Sequence, residues 1–378
     1  MYLSFMFIFL FLLLAGLALI YFNVSAVAPG RKGKLVALGV LVAIFAGMSL
    51  RGTLAGSIVV SFFSVWLCQA LLFYILWGIF RLVRRSVIRR PMRANTVLVA
   101  SRVLLAATVA VTLSLIAYGV PHNARYVLRE TTVELPATVA RDSVAPANFT
   151  AVFFSDVHVD PLFDRAKLER MIADVDSIKP DYLLFGGDLA DVPTGTLDEW
   201  GYDSLFKKLV AGAKVAAVAV NGNHEGMQEH PGSDPGAWMR KVGFVFLDDA
   251  TECIGPACFT GRTDFQVARR RDMERRPLAE LAPTDSSRPW ILLDHQPKGI
   301  EDGYSGRLPD FAFSGHTHNG QFFPGNFVIH LVWRLVYGEG VLDGVPWLVS
   351  AGVDCWGPPV RVGTDADMWV VHFVQAAK

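Results

Sequence analysis

No aspartate or glutamate occurs among the first 129 residues; Glu130 is the first acidic side chain, and all 35 acids follow from there. Lysine and arginine are present in that acid-free stretch, so a total of 35 basic against 35 acidic residues conceals two differently charged parts. Such asymmetry argues for apolar spans with positive flanks and against a nucleic-acid binder. The arginine-rich stretch Arg81, Arg84, Arg85, Arg89, Arg90 and Arg93 lies directly between two apolar runs, which again argues against a nucleic-acid patch. Cysteine is scarce as well. Four cysteines exclude a disulfide-built scaffold, and Cys68 sits inside an apolar run as a small hydrophobe. Cys253 and Cys258 flank the turn-prone Ile254-Gly255-Pro256-Ala257, so they can pair in an oxidising compartment or remain two thiols of a surface loop. Cys355 is the fourth.

What is plentiful is apolar sequence. The mean hydropathy of +0.36 over 378 residues is too high for an ordinary soluble enzyme and implies a membrane part. Four runs are candidates: Leu3–Phe22, Leu35–Leu50, Leu54–Phe80 and Val97–Val120, the first and last of the right length for a bilayer core of about 30 Å. A signal peptide is the competing reading of the first run, but no positive charge opens it and another apolar run follows, which favours a retained span. Arg102, close to the end of the fourth run, is expected to snorkel toward the headgroups. Arg31, Lys32 and Lys34 follow the first run, Arg51 alone follows the second, and six arginines follow the third. The first and third connections are therefore expected on the cytoplasmic side. This places the N-terminus and everything after Val120 outside, in a multi-pass protein of the inner (cytoplasmic) membrane with a periplasmic domain.

Residues 1–120 are thus expected as a four-helix transmembrane part (helices 3–22, 35–50, 54–80 and 97–120). A linker or entry segment is expected over 121–148, with Pro121, Pro136, Pro146 and an edge strand at Thr131–Leu135. An α/β domain follows over 149–378. Strands are expected at Thr150–Phe154, Tyr182–Phe185, Val215–Val220, Phe244–Leu247, Trp290–Leu293, Phe311–Phe313, Trp347–Val349 and Met368–Val374. Helices are expected over Asp164–Ile178, Tyr202–Ala211 and Pro235–Val242.

Chemistry-bearing segments follow these strands: Asp156-Val157-His158, Gly187-Asp188, Gly222-Asn223-His224-Glu225, His295, and Gly315-His316-Thr317-His318. Residues at the carboxyl ends of neighbouring strands converge on one crevice. Asp156 and His158 can offer a carboxylate oxygen and an imidazole nitrogen to one cation, with His318 returning to it. Asp188, with two oxygens, can bridge to a second held by Asn223, His295 and His316. A nitrogen and oxygen donor set without thiolate suits manganese, iron or zinc, manganese first, and argues against a structural cysteine zinc site. His122, His230, His330 and His372 lie outside the motifs, and of these only His230 is near enough in sequence to one to touch substrate.

The whole set resembles the calcineurin-like metallophosphoesterase superfamily, over Phe149 to the C-terminus. Within it the set is similar to the membrane-associated bacterial branch that includes the YkuE- and YaeI-type phosphodiesterases and the UDP-diacylglucosamine hydrolases. Supporting segments are Gly315-His316-Thr317-His318-Asn319-Gly320-Gln321, where that branch usually carries glycine in place of Asn319, Gly261-Arg262-Thr263-Asp264, and Cys355-Trp356-Gly357-Pro358-Pro359-Val360-Arg361. The resemblance implies an αββα sandwich of two mixed β-sheets. It also implies two divalent metal ions, one on Asp156, His158, Asp188 and His318 and the other on Asp188, Asn223, His295 and His316. A metal-bridging hydroxide would attack phosphorus, and His224 would protonate the leaving oxygen. Asp191 and Glu225 would orient ligand imidazoles, or lie on the surface as solvated carboxylates.

The expected activity is hydrolysis of phosphodiester or pyrophosphate bonds, in lipid head groups, lipid-linked precursors or soluble extracytoplasmic nucleotides. The lipid bilayer is the expected partner, and no nucleic-acid binding is expected. Trp333, Trp347, Trp356 and Phe322-Phe323 would form an apolar rim for acyl chains or belong to the core. A non-catalytic membrane sensor or scaffold is the reading from another class; turnover of a generic phosphodiester separates the two. A transporter is disfavoured by spans that carry one edge arginine and no acid.

Overall fold

The computed structural model describes residues 14, 17–18, 20–28, 30–50, 52–90, 92–135 and 148–375, and the chain divides into two compact units, 1–120 and 121–378. In the first unit, α1 (Arg31–Ser49), α2 (Leu54–Ser86) and α3 (Ala94–Asn123) are each long and apolar enough to cross a bilayer. The expected span Leu3–Phe22 falls almost wholly outside the described residues. Both long helices overrun their expected ends, α2 by six residues at its C-terminus and α3 by three at each end. Arginine is a good helix former and complements the negative C-terminal end of the dipole, so Arg84 and Arg85 continue α2 rather than stop it.

Three hydrogen bonds tie α2 to α3. Gln69 Nε2 donates to the Thr108 carbonyl at 2.7 Å and to Thr112 Oγ1 at 2.8 Å, and Trp66 Nε1 donates to Thr108 Oγ1 at 3.1 Å. Between apolar helices such bonds supply the pairing that hydrophobicity cannot. Arg102 donates from Nε to the Val27 carbonyl at 2.9 Å.

The second unit is built on two six-stranded sheets. The first contains β1 (Tyr126–Leu135), β2 (Phe149–Phe154), β3 (Tyr182–Phe185), β4 (Ala216–Ala219), β5 (Val245–Phe246) and β12 (Ala366–Gln375), in the order β1-β12-β2-β3-β4-β5. The second contains β6 (Ala250–Ile254), β7 (Ala257–Gly261), β8 (Trp290–Leu293), β9 (Phe311–Ser314), β10 (Gly338–Leu342) and β11 (Val345–Val349), in the order β10-β11-β9-β8-β7-β6. Both are mixed, with β2, β3 and β4 parallel in one and β7, β8 and β9 parallel in the other. Alternation along the strands sorts the core. Ala151, Phe153, Leu184 and Val218 face Phe259, Ile291, Leu293 and Phe313 between the sheets, whereas Val152, Phe154, Leu183 and Phe185 point the other way.

The helices of this unit are α4 (Arg165–Ile178), α5 (Thr194–Glu199), α6 (Tyr202–Ala211), α7 (Asn223–Gln228), α8 (Pro235–Val242), α9 (Phe265–Arg270), α10 (Leu278–Leu281) and α11 (Gly325–Ile329). Leu168, Met171 and Val175 of α4, Phe206 and Leu209 of α6 and Trp238 and Met239 of α8 cover the outer face of the first sheet. The outer face of the second has the four-residue α10, with Leu278 and Leu281 on Trp290, Leu292 and Trp347. The helical cover is therefore lopsided.

Among its described residues, the segment expected as a linker is largely helix and strand. Residues 121–123 complete α3, and β1 runs parallel to β12 over ten residues, from Tyr126↔Ala366 to Leu135↔Gln375. Only Val133 and Leu135 of β1 are buried, so the strand carries little apolar alternation for the sequence to reveal. Residues 136–147 lie outside the described set. Cys253 and Cys258 face each other across the β6–β7 hairpin and are joined as a disulfide.

Candidate metal centre

Every motif residue follows the carboxyl end of a strand: Asp156 and His158 after β2, Asp188 after β3, Asn223 and His224 after β4, His295 after β8, and His316 and His318 after β9. The two sheets are stitched here, since His295 Nδ1 donates to the Gly186 carbonyl at 2.7 Å and His316 N to the Asp156 carboxylate at 3.1 Å. Asp156, His158, Asp188, His316 and His318 all adopt positive φ, from 46° to 70°. Such conformations are costly for these residue types, and their concentration marks a site over-determined by its surroundings. Two glycines make room. A Cβ on Gly222 would stand 2.2 Å from Asp188 Oδ1, and one on Gly315 2.2 Å from Asp156 Oδ2.

Two donor groups result, Asp156 with His158 and His318, and Asp188 with His295 and His316, and a third cluster of His158, Asp191 and His224 adjoins them. Asp188 Oδ2 is 3.1 Å from His295 Nε2 and 3.6 Å from His158 Nε2, so this carboxylate lies between the groups. His318 Nε2 is 3.3 Å from Asp156 Oδ1 and 3.2 Å from His158 Nε2. The other ring nitrogens face acceptors: His158 Nδ1 faces Asp191 at 3.4 Å, His318 Nδ1 the Asp354 carbonyl at 3.2 Å, and His295 Nδ1 the Gly186 carbonyl. With hydrogens on Nδ1, the Nε2 lone pairs point at one another and at carboxylate oxygens, an arrangement that only a cation or an extra proton relieves. Asn223 Oδ1 and His295 Nε2 are buried without a hydrogen-bond partner, as donors aimed at an ion would be. The residues present fit a pair of divalent cations.

The electrostatics agree. Burial works against ionisation at all of these groups. The Asp188 charge overcomes it at His295, raising that imidazole to about 10, and His158 is raised by Asp191 and Asp156. Asp156 and Asp188 are held below the carboxylate range against their burial by the surrounding histidines. Burial, joined by repulsion from His295, lowers His316 to about 3, and burial lowers His318 to about 4 despite Asp156. Protons thus collect where cations would bind.

His224 stands beside this site. Its backbone N–H donates to Asp188 Oδ1 at 2.8 Å, and its Nδ1 hydrogen-bonds Asp191, leaving Nε2 as the ring nitrogen available for proton transfer. Its ring is 6.0 Å from that of Trp356, which is 59% exposed. Asp191 thus serves both His158 and His224. Glu225, expected to orient an imidazole, touches none: it accepts the backbone N–H groups of Asp188, Leu189 and Gly222 at 2.5–2.9 Å and so clamps the turns after β3 and β4. His230 joins neither donor group; it closes a turn with Ser233. Of the expected rim, Trp347 is fully buried, with Nε1 bonded to Ser314 Oγ at 2.9 Å, whereas Trp333 stacks edge-on 5.2 Å from His316 and Phe323 is exposed.

A bracing layer escaped the sequence. Buried Arg361 donates to the carbonyls of His318, Ala351, Gly352 and Asp354. Lys167, fully buried, donates to Asp354 Oδ2 at 2.8 Å and to the Val353 carbonyl at 2.9 Å, and Asn123 Nδ2 donates to Asp354 Oδ1 at 2.6 Å. The last residue of α3 is thereby one side chain from the carbonyl that orients His318.

Residues 149–320 match the family described as calcineurin-like phosphoesterase. An uncharacterized metallophosphoesterase of Helicobacter pylori (strain J99) is 28% identical over 212 residues, 56% of this chain and 55% of that protein. A transmembrane protein with metallophosphoesterase domain of Danio rerio is 26% identical over 287 residues, covering 70% and 62%. The uncharacterized metallophosphoesterase YkuE of Bacillus subtilis is 28% identical over 233 residues, covering 58% and 76%. This chain thus spans little more than half the length of the Helicobacter relative.

Proposed function

We propose that this chain, which carries a calcineurin-like phosphoesterase domain over residues 149–320, is a membrane-anchored, metal-dependent hydrolase of phosphodiester or pyrophosphate bonds. The observation that carries the reading is Asp188 between two donor groups, with the Asp191-bonded His224 beside them. Asp156, His158, Asp188 and His318 would hold one divalent ion, and Asp188, Asn223, His295 and His316 the other, manganese being the favoured metal and iron or zinc the alternatives. When bound, such a pair supplies charge neutralisation at the phosphoryl group and an acidified water. The chain supplies the rest. His224 Nε2 gives a proton to the departing oxygen, and Asp191 fixes the orientation of its ring. Glu225 and Arg361 hold the donor turns in register, so that no donor has to reorganise as charge develops.

The substrate class is a phosphoester in a lipid head group or a lipid-linked precursor. Three apolar helices in the same chain and relatives named as transmembrane proteins support it. A periplasmic position for the second unit, in a protein of the inner membrane, is supported by the arginine-rich connection after α2 and by the Cys253–Cys258 bond, which persists in an oxidising compartment. The test is manganese-dependent hydrolysis of a chromogenic phosphodiester by the purified full chain in detergent, beside Asp188→Asn. Turnover by the wild type alone is expected; silence in both with metals bound would leave a binding role in its place.

A further inference from the structure

Between Phe322 and Trp333 the chain reads Phe-Phe-Pro-Gly-Asn-Phe-Val-Ile-His-Leu-Val-Trp, without one acidic or basic residue apart from His330. The segment folds as α11 and its flanking turns, and α11 buries none of its residues. Phe323 is 52% exposed, Phe327 65%, Val328 55%, Leu331 87% and Val332 59%. Five large apolar side chains within ten residues, none covered by the fold, form a patch of the kind that marks an interaction surface.

Two connections within the second unit say what covers it. At one end, hydrogen bonds lead back to the foot of α3. His122 Nε2 meets the Thr364 carbonyl at 3.2 Å, Thr364 Oγ1 donates to the Gln321 carbonyl at 2.8 Å, and Phe322 bridges Val362, whose carbonyl accepts Phe323 N at 3.2 Å. The apolar run Val97–Val120 ahead of His122 rises about 36 Å as a helix, slightly more than a hydrocarbon core of about 30 Å, so a crossing α3 delivers His122 at headgroup depth. At the other end the segment reaches the metal centre, where the Trp333 ring lies 5.2 Å from that of His316. An uncharged, outward-facing apolar segment thus runs from the foot of a membrane helix to the catalytic donors.

We propose that Phe323, Phe327, Val328, Leu331 and Val332 insert into the headgroup–acyl boundary of the bilayer that α3 enters, and hold the donor site against the lipid surface. The occupant is the lipid itself. This deepens the proposed function and rests on it for the substrate: a phosphoester presented by a lipid in that leaflet reaches His224 and the donor groups without leaving the interface, whereas a soluble diester gains nothing from the segment.

The test uses the full chain in nanodiscs. Leu331→Cys, in a Cys68→Ser background, is labelled with an environment-sensitive fluorophore and exposed to lipids carrying shallow spin labels, with Val215→Cys at the amino end of β4 as control. Quenching at residue 331 and none at 215 is expected; no quenching at 331 overturns the proposal and points to a protein covering the patch. In parallel, the double variant Phe327→Glu with Leu331→Glu should lose about tenfold in hydrolysis of a vesicle-embedded phospholipid diester and keep its rate on bis(4-nitrophenyl) phosphate. Equal loss on both substrates, or loss on neither, overturns the proposal. A wild type that turns over neither substrate refutes the phosphoesterase reading instead, while the quenching result still decides the docking.

Discussion

Asp188 and His224 are neighbours to which the proposed function gives different duties, and substitution tests the difference. Asp188→Asn and His316→Ala should lose metal and activity together, because each removes a donor that nothing nearby replaces. His224→Ala should retain its metals and lose about 10²–10⁴-fold in turnover, the usual worth of a positioned proton donor. Elemental analysis beside a rate assay checks this, and equal metal loss in all three variants would remove the distinct role of His224. Behind them, Lys167→Met leaves the Asp354 carboxylate buried without its cation and should destabilise the unit by about 3–5 kcal/mol, read as a lowered unfolding midpoint in detergent. The clustered side chains were legible because Asp156, His158, Asp188, His295, His316 and His318 fall in short segments after apolar strands. The bracing residues were not: Arg361 acts through four backbone carbonyls, and Asn123 and Lys167 act through Asp354, partners that no local motif advertises.

Among the elements, strands buried on both faces announced themselves as short continuous apolar runs, and Tyr182–Phe185 and Trp290–Leu293 were read to the residue. Amphipathic α4, α6 and α8 were equally plain, because each lays one apolar stripe on the first sheet. The hairpin β6–β7 and strand β10 were missed: β6 buries none of its residues, and β10 carries two glycines among five residues. Strand β1 was read at half its length for the same reason. The hairpin offers its own test. Replacing Cys253 and Cys258 by serine opens a loop with a sequence separation of five and should cost about 2 kcal/mol with the rate unchanged, since neither sulfur approaches the donor groups. Thermal unfolding with and without reductant measures the first part; a collapse of activity would contradict the second.

At the scale of the whole molecule, an acid-free stretch of 129 residues joins a unit that carries all the carboxylates. External protease added after the outer envelope is opened should digest the second unit and spare α1 to α3. Protection of that unit would reverse the topology and move its substrate to the cytoplasmic leaflet. The sheet order adds a constraint of another kind. Strand β12, which follows the other eleven in sequence, sits between β1 and β2 and pairs with both. The ribosome therefore delivers the three long apolar helices and every candidate donor before the strand that joins β1 to the rest of its sheet. A chain arrested before Ala366 would hold every candidate donor on β2, β3, β4, β8 and β9 and leave β1, which follows α3, without the strand that ties it to their sheet.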